Sequence, residues 1–164
     1  MKKIICLLLV CATTAVCFCF TGCEQQQPIR IHIRAHSNAA ADQAVKLLVR
    51  DETVEYLTEK LKNAASRSDA YNIISKNLGA VQRRSDKLLE RGGYNYGTDA
   101  ELVNEYFPAR TYDGKVFDSG NYDALIINLG DGAGDNWWCV AYPPLCFYGN
   151  ETVEYSSLIA EWFF

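Results

Sequence analysis

An α+β fold is predicted, with an N-terminal strand, two or three helices and a mainly β C-terminal half in a single domain. Three features of the sequence carry that expectation. Ile29-Arg-Ile-His-Ile-Arg-Ala35 alternates apolar and polar residues with a period of two, as a half-buried strand does. From Ala39 to Gly92 the apolar residues recur at three- and four-residue steps, the helical spacing. Beyond Gly93 the chain turns to tyrosines, valines and glycine-bearing turns, and Ala124-Leu-Ile-Ile-Asn-Leu129 is almost continuously apolar, as in a strand covered on both faces. With 164 residues and 49% hydrophobic composition, the chain suffices for one core.

The N-terminus is set apart. Lys2-Lys3 precede an uncharged run from Ile4 to Gly22, and Cys23 is followed by Glu24-Gln25-Gln26-Gln27. That is the layout of an export signal. Phe20-Thr21-Gly22-Cys23 resembles a bacterial lipobox, with Cys23 as the lipid site and Phe20 where an aliphatic residue is usual. An uncleaved anchor and plain cleaved secretion are the rival readings, since nineteen uncharged residues can span a bilayer. Residues 1–23 are thus read as the export signal, 24–28 as a short polar linker and 29–164 as the domain, outside the cytoplasm. Lys2 and Lys3 are the only charges ahead of Cys23, so 14 basic residues then face 20 acidic ones, a net −6. An acidic domain lacks the basic footprint that nucleic acid demands.

Taken in order, Ile29–Ala35 is the first strand, with Arg30, His32 and Arg34 on its polar face. Ser37-Asn38 supplies an N-cap, and Asp42 sits in the first turn, where a negative charge suits the helix dipole. The helix runs from Ala39 to about Asn63, with Ala44, Leu47, Leu48, Val54, Leu57 and Leu61 facing the core. Asp51 interrupts that stripe and needs a partner, with Arg50, Lys46 or a first-strand arginine in reach. Ser66 starts a second helical stretch whose apolar side is Ala70, Ile73, Ile74, Leu78, Val81, Leu88 and Leu89. It stops at Gly92-Gly93, and Gly79 leaves open whether it is one helix or two. Phe107–Gly114 reads as a loop or turn, Lys115–Phe117 as a short edge strand, and Tyr122–Leu129 as the central strand. Residues 150–164 form an aromatic tail expected to dock on the domain.

Gly130–Cys146 concentrates three glycines, two aspartates, Asn136, Trp137, Trp138, Cys139, Tyr142, Pro143, Pro144 and Cys146. Several chemistries could draw on these residues. His32, His36, Cys139 and Cys146 could be zinc ligands, but strand positions four apart stand roughly 13 Å from each other, and zinc ligands lie about 2 Å from the metal. A Cys139–His36 pair, with Asn136 as orienting group, would make an extracytoplasmic cysteine-dependent hydrolase; an Asp51 and His36 polar cluster is a variant of it. Asp131 and Asp135 would repel a phosphate held by the glycines, and the acids lack the late glutamate of a calcium loop. The glycines are more simply backbone punctuation. Cys139 and Cys146 would close a small disulfide loop worth roughly 2–3 kcal/mol, two buried thiols being the alternative. No metal or cofactor is expected.

Several blocks resemble one family. They are Ile31–Asn38 with Asp42-Gln43 and Val49-Arg50-Asp51; Phe107-Pro108 with Arg110 and Tyr112; Gly120-Asn121-Tyr122-Asp123-Ala124-Leu125; and Gly130, Gly132 and Gly134 leading to Asn136-Trp-Trp-Cys-Val140 and Pro143-Pro-Leu-Cys-Phe147. This pattern is similar to that of the stage II sporulation protein R family. Three positions depart from it: His36 stands where the family usually has asparagine, Asn38 where it has aspartate, and Asp118 where a proline commonly precedes the glycine turn. The resemblance implies a signalling protein of endospore formation, not an enzyme, exported into the space between forespore and mother cell. There it would activate a membrane-embedded aspartic protease that cleaves the mother-cell sigma-E precursor. Trp137, Trp138, Tyr142, Pro143 and Pro144 are expected to form the ridge that meets that protease, since aromatic side chains anchor interfaces. Arg50, Asp51 and Asn136 are expected to be structural polar residues.

Overall fold

The computed structural model describes residues 27–112 and 114–143. The expectations for the export signal and Cys23, for Pro144 and Cys146, and for the aromatic tail lie outside the described residues. Within them the order is β1 (Ile29–Arg34), α1 (Ala40–Leu61), α2 (Arg67–Arg91), β2 (Thr98–Phe107), β3 (Arg110–Tyr112), β4 (Lys115–Phe117), β5 (Gly120–Leu129) and β6 (Asn136–Tyr142). This is the expected α+β arrangement: a strand, two helices, then a mainly strand C-terminal half.

Four strands form one sheet in the order β2-β5-β1-β6. β1 runs parallel to β5, with Arg30 opposite Ala124 and Arg34 opposite Asn128. It runs antiparallel to β6, with Ile31 opposite Cys139 and Arg34 opposite Asn136. β5 is central, as its apolar run predicts, and β2 closes its other side. β3 and β4 form a separate two-stranded hairpin. The Phe107–Gly114 stretch is therefore partly strand, and Lys115–Phe117 pairs with it across a turn in which Gly114 takes a φ of 72°.

The helices cover one face. Ile29, Ile31 and Ile33 of β1 with Leu125, Ile127 and Leu129 of β5 meet Val45, Val49 and Leu57 of α1 and Ile74, Val81 and Leu89 of α2. Each such buried aliphatic side chain contributes roughly 1.5–3 kcal/mol. α2 starts as expected, with Ser66 Oγ accepting from the Asp69 backbone N–H, and it is one continuous helix through Gly79. It ends in a Schellman motif. Gly93, at φ 74°, donates to Glu90, and Tyr94 donates to Leu89.

Three expectations are corrected. The core stripe of α1 is Asp42, Val45, Lys46, Val49, Thr53, Leu57 and Leu61, whereas Ala44 is exposed and Leu48 is 55% exposed. Asp51 accordingly lies off the stripe, with its side chain 63% exposed and paired to the adjacent Arg50 at 2.7 Å. The N-cap is Ala39, with no side-chain cap bond of its own; Ser37 Oγ accepts from Ala39 N, and Asn38 Oδ1 accepts from the Asp135 N–H. Finally, β1 is covered on both faces. Arg30 is 0% and His32 2% exposed, because the hairpin and a second set of aromatic residues roof the side expected to face water.

Candidate functional site

Two clusters stand on either side of β1. The first closes the C-terminal ends of the parallel strands. Gly130, at φ 52°, and Gly132, at φ 61°, turn the chain out of β5, and the loop runs against the segment leaving β1. Ala133 N donates to His36 O and Gly134 N to Ala35 O. A Cβ on Gly134 would lie 2.3 Å from Ser37 O, so only glycine permits this approach. Asp131 N donates to His36 Nδ1 at 3.0 Å, and the His36 ring stacks on Tyr96 at 4.4 Å.

Polar side chains complete that closure. Asp42 accepts from Ser37 Oγ at 2.5 Å and from the Tyr96 hydroxyl at 2.6 Å. These two donors, Ser37 first, hold the Asp42 carboxyl below the usual carboxylate range. Burial raises the Tyr96 phenol far above its ordinary value, and the Asp42 carboxylate adds to the effect. Lys46 Nζ donates to Gln43 Oε1 at 2.7 Å and to the Asp135 carbonyl at 3.0 Å, while burial lowers its pKa. The glycine-rich stretch is thus largely occupied by its own chain: the amides of Asp131, Ala133, Gly134 and Asp135 donate to residues 35–38, and the Asp135 carbonyl accepts from Lys46.

The second cluster lies beneath the hairpin. The Arg30 guanidinium sits 4.7 Å from the Phe107 ring, 5.4 Å from Tyr112 and Phe117, and 5.2 Å from Tyr122. Its Nη2 donates to the Tyr112 hydroxyl at 3.1 Å, but Nε and Nη1 have no hydrogen-bond partner among the described residues. His32 stacks on Trp138 with centroids 3.6 Å apart and meets Phe107 edge-on. Burial lowers the His32 pKa, outweighing the neighbouring Asn136 side chain and the Glu105 carboxylate, which raise it; Arg34 adds to the lowering. Arg34 pairs with Glu105 and donates to Asn128 Oδ1 at 3.0 Å.

The tryptophans do not share a surface. As successive residues of a strand they point to opposite faces. Trp137 packs on the helix-side core near Arg50, and Trp138 is sandwiched between His32 and Arg110. Tyr142, half-buried opposite Ile29, joins the helix side, and Pro143 follows it through a cis peptide and is exposed. The anticipated single aromatic ridge is therefore divided by the sheet, and Asn136–Tyr142 is an edge strand. Nor are Cys139 and His36 brought together. Cys139 pairs with Ile31, five residues before His36, a separation of roughly 16 Å along a strand. His32, adjacent to Ile31, is nearer in strand register, but it projects from the other face.

What sequence reasoning missed is the burial of Arg30 and His32. The signal was the set Phe107, Tyr112, Phe117 and Tyr122, too many aromatic residues for the helix-facing core alone.

An α+β protein whose conspicuous polar residues are internally satisfied or caged by aromatic rings is what these clusters define. The sequence pattern of stage II sporulation protein R matches residues 25–152, and the chain belongs to that family. It is 35% identical over 121 residues to stage II sporulation protein R of Bacillus subtilis (strain 168), covering 74% of this chain and 54% of that protein. The chain thus spans about half the length of this curated relative. No solved structure matches it. Membership of the family assigns the chain a role in sporulation.

Proposed function

We propose that the chain is an extracytoplasmic signalling protein of endospore formation, acting in the space between forespore and mother cell. It is held at the membrane through Cys23 lipid or a retained signal anchor. There it activates a membrane-embedded aspartic protease, leading to cleavage of the mother-cell sigma-E precursor. The observation that carries this reading is the family match across residues 25–152. On this reading the protein is a ligand and not a catalyst. In support, Cys139 is a bonded half-cystine, 7% exposed, and not a free thiol. His36 Nδ1 is already engaged by Asp131 N. We assign the partner of Cys139 to Cys146, closing a loop over Pro143 and Pro144.

The protease-facing surface in this proposal is the β6 edge, with Trp138 on one face and Tyr142 and Pro143 at the strand's end. Trp137 acts as a brace against the helices. The test is complementation of a sporulating strain that lacks its own signal, read as sigma-E precursor cleavage. The chain should restore cleavage. Failure to do so, or a defect that begins only after engulfment, would replace the signalling role with that of an envelope scaffold.

A further inference from the structure

An open cleft of about 480 Å³ lies between α1 and α2 on the surface of the helical layer. Its lining includes Tyr56 and Leu88 together with Arg83, Arg84, Lys87 and Arg91, against the single carboxylate of Glu52. Arg84 is committed, pairing with Glu52 and lying 4.4 Å from the Tyr56 ring. Arg83, Lys87 and Arg91 are exposed and make no salt bridge among the described residues. They stand at i, i+4 and i+8, where like charges repel and weaken a helix. The helix dipole favours cations only in the last turn, which accounts for Arg91 but not for Arg83. Beyond Cys23 the chain is otherwise acidic, at net −6.

We propose that this cleft docks an acidic segment of a protein partner, its carboxylates meeting Arg83, Lys87 and Arg91 and an apolar or aromatic side chain resting on Tyr56 and Leu88. Both volume and charge select the occupant. The volume falls within the roughly 300–1,000 Å³ of clefts that take a drug-sized ligand, a size comparable to a few side chains. A bilayer surface cannot enter a concavity between two helices, and an anionic bilayer would also repel the acidic body as a whole. The cleft is built from the helices alone, so it is a surface additional to the β6 edge and does not require the β6 assignment to hold.

The experiment uses a fluorescein-labelled oligoglutamate peptide and the full chain, with anisotropy read at low and at physiological salt. Binding should be salt-sensitive. An Arg83→Gln/Lys87→Gln double variant should bind about tenfold more weakly and with a shallower salt dependence. A matched Lys62→Gln/Lys115→Gln variant, neutralised outside the cleft, should bind as the parent does. No peptide binding at low salt, or equal weakening in both variants, overturns the proposal. Cleft-dependent binding to phosphatidylglycerol vesicles without peptide binding overturns it in favour of a membrane. Circular dichroism of the variants keeps misfolding from being read as lost binding.

Discussion

Arg30 concentrates the energetic question at the scale of a single residue. Removing an ion from water costs several kcal/mol after relaxation, and among the described residues no carboxylate is a hydrogen-bond partner of this guanidinium. Four surrounding rings offset that cost, each cation–π contact contributing on the order of 1–2 kcal/mol when desolvated. The two terms are close to balance. Arg30→Met, which fills the space without the charge, should therefore change unfolding free energy by no more than about 1 kcal/mol, whereas Arg30→Ala, which leaves a cavity beneath the hairpin, should cost about 3 kcal/mol. Urea titration of both variants checks the ordering; a large loss in Arg30→Met would mean the charge itself holds the hairpin. This residue was illegible in the sequence for a definite reason. Strict alternation identifies the two faces of a strand but not what later segments place over the polar one.

Among the elements, the glycine loop and β6 behave differently from the surface loop they resemble in sequence. Gly134→Ala drives a Cβ into the Ser37 carbonyl at 2.3 Å, and separating the two segments should cost roughly 1–3 kcal/mol. Gly114→Ala is the contrast. There φ is 72° but nothing lies within 4 Å, so only the left-handed backbone penalty of about 1 kcal/mol applies. Equal losses at the two positions, measured by denaturant unfolding, would remove the close approach as the explanation. For β6, Trp138→Ala should abolish precursor cleavage in a folded protein. Trp137→Ala should mainly lower the melting temperature, because that indole packs on the helix-side core. Cleavage unchanged in Trp138→Ala takes this residue out of the interface.

The helices were legible to a different degree. The limits and caps of α2 follow from Ser66 and the Gly92-Gly93 pair. The phase of α1 did not follow from hydrophobicity, because its buried stripe includes Asp42, Lys46 and Thr53. Asp42 and Lys46 are accommodated by Tyr96, Gln43 and the Asp135 carbonyl. Tyr96 and Asp135 come from distant segments, and without them the apolar Leu47-Leu48 pair marks the wrong side of the helix.

For the whole molecule, the buried histidine sets a pH dependence. The folded-state pKa of His32 is lowered, so below the unfolded value of about 6.5 the unfolded chain binds a proton that the folded one does not. Stability should be intact above that value, fall as pH drops below it, and level off once the folded pKa is passed. Asp42 and Asp123 act in a separate window. Both have depressed folded pKa values, caused first by Ser37 and by Arg67 respectively, so their contribution is lost only below about pH 3.9. Urea midpoints at about pH 7.5 and about pH 5 should differ in the parent, and the difference should shrink in His32→Phe. A parent midpoint that is level across that interval is incompatible with a buried neutral imidazole.

The placement of β1 constrains the order in which the molecule can be completed. Its residues are paired on one side by β5 and on the other by β6, with Arg34 and Asn128 separated by 94 positions. A polypeptide that emerges with its N-terminus leading delivers β1 first among the strands, yet must leave it with both edges unpaired until β5 and β6 have followed. Contacts so remote in sequence form slowly, and a chain cut short before residue 120 would lack both of the strands that flank β1. The sheet therefore closes only after nearly the whole described chain has arrived.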